Sequence, residues 1–72
     1  MNDLDTKILL FIQNRHEKGE STSSRNIHIR FGNEMCEIEI ILNKLFEKNW
    51  ISKYYDSQYQ EERYIPKNSV RE

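Results

Sequence analysis

Glycine is scarce in this chain. Gly19 and Gly32 are the only two in 72 residues, too few and too isolated to build a glycine-rich loop that cradles phosphate. The single cysteine, Cys36, excludes an internal disulfide, and a lone thiol suits a reducing compartment; a cytoplasmic location is expected. No apolar run approaches the ~20 residues of a membrane span. The acidic start, Met1 to Asp5, lacks the charge and apolar stretch of a secretion signal. His16 and His28 are isolated, and no His, Cys or Asp pair has the spacing of metal ligands. Neither an enzyme nor a cofactor is expected.

The chain does have enough apolar material for one small domain. Hydrophobic residues make up 36% and aromatics 11%, so disorder is excluded. A chain this short buries only about 60% of its unfolded surface, so association of two copies is a natural way to add stability. Charge is dense but balanced, 32% with a net of -1. That total does not announce nucleic acid, whose binders are usually basic, although a local basic face can exist within a neutral sum.

Periodicity predicts three helices and a hairpin. In the first helix, residues 2–19, Leu4, Ile8, Phe11 and Ile12 share one face. Asn2 or Asp3 caps its start, Asp5 suits the positive end of its dipole, and Gly19 stops it. A short second helix, capped by Ser21, Thr22 or Ser23, turns Ile27 and Phe31 inward and ends at Gly32. A third, from Asn33, carries Ile38, Ile41, Leu42 and Leu45 as its buried stripe, with Phe46 on its flank and Asn49 at its end. From Trp50 the period changes. Ile51, Tyr54, Tyr55, Tyr64 and Ile65 are strand formers around a polar tip at 57–62, and Pro66 closes the second strand. Trp50 is assigned to the core, Tyr54 and Tyr64 to the alternation between core and surface of any small sheet, and His28 to a partly buried position. The domain spans 1–66, followed by a flexible tail at 67–72.

These elements resemble the winged helix-turn-helix family of prokaryotic and viral DNA-binding regulators. Ser23, Ile27, Phe31 and Gly32 match the family's polar cap, its two apolar positions and its turn glycine. Ile38, Leu42 and Leu45 match the helix that follows. The family's Leu-x-x-x-Gly-Leu-Ile ending becomes Leu45 through Asn49, Trp50 and Ile51, with Asn in the glycine's left-handed place. "RYIP", Arg63 to Pro66, resembles the return strand of a wing. His28 departs from the family, which prefers a small residue there. The resemblance implies an α+β winged helix, three helices plus a C-terminal two-stranded wing, with a short extra strand between helices two and three. It also implies a homodimeric regulator of transcription bound to double-stranded DNA. Arg25, Arg30, Lys44, Lys53 and Arg63 would then hold the backbone. Asn33, Glu37 and Asn43 would read the groove, and Tyr59 at the wing tip would reach it.

The charge of the third helix opens an alternative. With Ile38 at the centre of the buried face, Cys36, Ile40, Asn43 and Glu47 fall on the outer side at 100° per residue. Base edges favour Arg, Lys, Asn or Gln, and Glu can only accept from cytosine. Glu34, Glu37 and Glu39 would face phosphates. A charged outer face is also what any solvated helix shows. Cys36 and Ile40, however, form an apolar strip rimmed by Glu37 and Glu39, which suits a protein partner or a dimer seam.

Overall fold

The computed structural model describes residues 3–67. The order is α1 (Asp3–Glu17), β1 (Thr22–Ser23), α2 (Ser24–Phe31), α3 (Met35–Glu47), β2 (Ile51–Asp56) and β3 (Glu61–Pro66). The three strands form one antiparallel sheet in the order β1-β3-β2. The fold is α+β, and the hairpin after the third helix gives the winged-helix arrangement.

The helices form where the spacing places them. Ile8, Ile12, Ile27, Ile38, Ile41, Leu42, Leu45, Ile51 and Tyr64 make one buried core, with Leu4, Leu9, Phe11 and Phe31 packed against it. Phe11 and Phe31 meet edge to face, their ring centroids 5.6 Å apart, and join α1 to α2. Truncating one of the buried Ile or Leu side chains to Ala would cost about 2–5 kcal/mol. Gly19 ends α1 with φ +83, and the Glu20 amide reaches back to the Arg15 carbonyl. Ser23 caps α2 in a reciprocal box with Asn26. The C-cap of α3 is Lys48 rather than Asn49; Asn49 follows it in the left-handed conformation, φ +63, and the Trp50 amide donates to the Leu45 carbonyl.

Several expectations are corrected. The extra strand lies between the first and second helices, not between the second and third. Thr22 pairs with Tyr64 and Ser23 with Arg63. Two guanidiniums lock it in place. Arg15 donates to the Ser21 carbonyl at 2.8 Å and to Thr22 Oγ1 at 3.1 Å. Arg63 donates to Ser21 Oγ and to the same carbonyl. The third helix starts at Met35 rather than Asn33. Trp50 is not core. The left-handed turn at Asn49 makes Ile51 the first inward residue of the hairpin, and Trp50 stays 39% exposed beneath the Lys48 ammonium. His28 is exposed, and its Nδ1 lies 2.6 Å from the Asn33 carbonyl oxygen. Asp5 stands in the first turn of α1 as expected, and it also has a partner that the sequence did not show. It is 1% exposed and accepts a hydrogen bond from Lys44 Nζ at 3.1 Å. The polar tip is shorter than expected, 57–60. The capping role of Asn2 and the tail beyond Lys67 lie outside the described residues.

Candidate interaction face of the third helix and wing

The face is set by what α3 buries. With Ile38, Ile41, Leu42 and Leu45 turned to the core, Cys36, Ile40, Asn43 and Glu47 are exposed on the other side. Ile40 is 63% exposed. Glu34, Glu37 and Glu39 are exposed and have no cation within ion-pair distance among the described residues. Two of the side chains expected to read bases bond to each other, Asn33 Nδ2 donating to Glu37 Oε1 at 3.1 Å. Cys36 is a free, exposed thiol.

The cations expected to grip phosphate are drawn to carboxylates. Arg25 lies 3.1 Å from Glu61, Arg63 lies 2.7 Å from the same carboxylate, Lys53 lies 3.6 Å from Glu62, and Lys44 lies 3.1 Å from Asp5. Lys53 also sits over the Phe46 ring. Arg63 is largely covered, with its guanidinium 5.7 Å from the ring centroid of the exposed Tyr59. Arg30 is placed elsewhere. It stacks on Phe31 and lines a groove between α1 and α2 with Lys7, Leu10, Phe11 and Asn14. The structure therefore does not bring the five expected phosphate contacts together on one surface.

What it does bring together is a notch of about 310 Å³ lined by Ser24, Glu39, Asn43, Glu61, Glu62 and Tyr64. Glu39 and Asn43 stand one helical turn apart on α3, and β3 supplies the other two carboxylates and the phenol. Arg25, hydrogen-bonded to Glu61, holds that carboxyl below its usual range against the opposing effect of desolvation, and Arg63 adds to the lowering. Burial pushes the Tyr64 phenol up, and the charges of Glu62 and Glu39 push the same way. Ser24 and Tyr64 were not singled out from sequence as site residues. The spacing of 39 and 43 was a signal for one side of the notch; the other side needed the register of β3.

Among the described residues no group of three or more His, Cys, Asp or Glu side chains is placed to hold a metal ion. No described helix is long and apolar enough to cross a membrane. The surface is thus one of acidic acceptors around an apolar strip, chemistry suited to hydrogen-bond donors and cations. No family model, curated protein or solved structure matches this chain.

Proposed function

We propose that this chain is a cytoplasmic winged-helix interaction module whose α3 and wing bind a basic protein surface, with Cys36 and Ile40 as the apolar centre and Glu37 and Glu39 as part of the rim. One observation carries the reading. Arg25, Lys44, Lys53 and Arg63 each have a carboxylate within 4 Å, whereas Glu34, Glu37 and Glu39 have no cation partner among the described residues. A phosphate brought to ~6 Å from one of these acids is repelled by about 0.7 kcal/mol in bulk water and about 3 kcal/mol at an effective dielectric of ~20. Three such terms oppose a phosphate groove and favour a partner carrying Arg or Lys.

A second reading, a homodimeric DNA-binding regulator, has its own support. The wing follows the helices in the order such regulators use, and the Arg25 side chain is 64% exposed. Surface ion pairs are worth only ~0–1 kcal/mol, so Arg25 could exchange Glu61 for a phosphate at small cost.

The two separate in one experiment. The chain, its Arg25→Glu variant and its Ile40→Asp variant are tested for gel retention of sheared genomic DNA at ~50 mM and ~200 mM salt, and for partner capture. The expected result is no shift at tens of micromolar protein, with capture lost in Ile40→Asp and kept in Arg25→Glu. A salt-sensitive shift abolished by Arg25→Glu would overturn the protein-binding proposal. Capture of a second copy of this chain, lost in Ile40→Asp, would identify the seam as a homodimer interface.

A further inference from the structure

Around the notch between the start of α2, α3 and β3, three cations are shared unevenly among three carboxylates. The three carboxylates differ in how far they are satisfied. Glu61 holds two guanidiniums, those of Arg25 and Arg63. Glu62 has only the Lys53 ammonium, at 3.6 Å, and remains half exposed. Glu39 has no cation among the described residues. Beside it, Tyr64 is 8% exposed and lines the notch, yet its hydroxyl makes no hydrogen bond among the described residues. The ring is buried, while the hydroxyl oxygen is not among the buried polar atoms and stays open to a ligand. A group entering beside Glu39 and the Tyr64 hydroxyl is favoured if it donates hydrogen bonds, because Glu39 carries no cation among the described residues.

We infer that this notch is the seat for a single arginine side chain of the partner, whose guanidinium is received by Glu39, Glu62 and the Tyr64 hydroxyl. The inference rests on the protein-binding reading above and gives that surface its specific contact. Shape favours a guanidinium over other cations. The acceptors are spread around a space of about 310 Å³, far larger than one ion, and no three ligands converge for a metal. A planar fork with five N–H donors can bond several separated acceptors at once, whereas an ammonium is a compact point charge. Asn43 and Ser24 add two more oxygen acceptors at the rim. Tyr64 completes the set by accepting one N–H while donating its own proton to a carboxylate. Ile40, one residue beyond Glu39 on α3 and 63% exposed, lies where it can pack on apolar surface flanking the arginine.

The test is a two-dimensional NMR titration of the full chain with N-acetyl-arginine amide. The isosteric, uncharged N-acetyl-citrulline amide is the control. The expected result is a saturable shift centred on Glu39, Asn43 and Tyr64 with a midpoint of roughly 1–50 mM, the range open to a single side chain. Citrulline should produce none. Glu39→Gln, at an exposed position, should weaken binding at least ~5-fold, and Tyr64→Phe, which keeps the core ring, ~3-fold. Non-saturating shifts up to ~100 mM, equal shifts with citrulline, or binding unaltered by Glu39→Gln would overturn the assignment. Saturable binding together with DNA retention lost in Arg25→Glu leaves the notch standing and removes the protein-binding reading. Partner capture through Ile40 with arginine amide binding unaltered by Glu39→Gln removes the notch alone.

Discussion

Replacing Lys44 by Met should destabilise the domain, and it should do so whether or not any ligand is present. Asp5 on α1 is 1% exposed and Lys44 Nζ on α3 lies 3.1 Å from its Oδ2, with the lysine side chain 46% exposed. At that distance two unit charges attract by about 1.3 kcal/mol in bulk water and about 5 kcal/mol at an effective dielectric of ~20. The ammonium reaches solvent, so the lower half of the range applies, and Asp5 has an interaction besides Lys44. Removing one partner of a fully buried pair costs ~3–5 kcal/mol; here the expected loss is about 1–3 kcal/mol. In a domain of this size that lowers Tm by roughly 5–20 °C. Met keeps the alkyl stem in place, so the loss reports charge rather than packing. The assay is thermal unfolding by circular dichroism of Lys44→Met, Asp5→Asn and the double variant. A coupling energy of about 1–2 kcal/mol is expected. Additivity within about 0.3–0.5 kcal/mol would refute the reasoning. Unchanged stability with weakened DNA retention would return Lys44 to the role of a phosphate contact.

Two further outcomes follow from the backbone and the core. Tyr64 has its ionisation raised above the usual 10.0 by burial, with Glu62 and Glu39 adding to it. The neutral phenol therefore stabilises the fold fully below that usual value, and the contribution is lost as pH rises through the raised one. Near-ultraviolet absorbance should show one of the four tyrosines ionising late; four equal ionisations, or an unaltered late step in Tyr64→Phe, would contradict this. Gln60 closes the hairpin tip at φ +54, a conformation that costs most side chains ~1–2 kcal/mol. Gln60→Gly relieves about 1–2 kcal/mol of that strain and adds about 0.4–1 kcal/mol of unfolded-chain entropy, so stability in urea should rise by up to about 1 kcal/mol, and a loss of stability would mean that the Gln side chain contributes something the backbone argument omits.

What was legible in the sequence is what short-range spacing encodes. The stripe of Ile38, Ile41, Leu42 and Leu45, the left-handed ends at Gly19, Gly32 and Asn49, and the cap at Ser23 all depend on residues within a turn or two of each other. The outer position of Cys36 and Ile40 followed from the same 100° step. The buried ion pair, the added strand and the pairing of the cations depend on distant residues. Asp5 and Lys44 are 39 positions apart, and Arg63 reaches Ser21 across 42. A two-residue strand at Thr22–Ser23 shows no periodicity of its own and exists because β3 is there to pair with it. The basic residues were identified correctly as residues, but nothing local shows that Glu61 sits between Arg25 and Arg63. The notch needed the same missing knowledge, since it joins one turn of α3 to one register of β3.

Glu61 is where the fold and the chemistry of the face meet. In β3 it stands opposite Asp56, at the end of the wing ladder. From there it reaches Arg25 at the start of α2 and Arg63 on its own strand. One carboxylate thus ties two elements together and pairs with both guanidiniums. With those two cations paired to Glu61, Glu34, Glu37 and Glu39 have no cation partner among the described residues, and Glu39 lines the notch beside Glu61 and Glu62. A chain with 11 basic and 12 acidic residues is nearly neutral as a sum. That sum does not show that Glu34, Glu37 and Glu39 go without a cation partner among the described residues. In the proposed reading, these unpaired acids, rather than the net charge or the helix-turn-helix outline, favour an arginine-bearing protein over a phosphate groove.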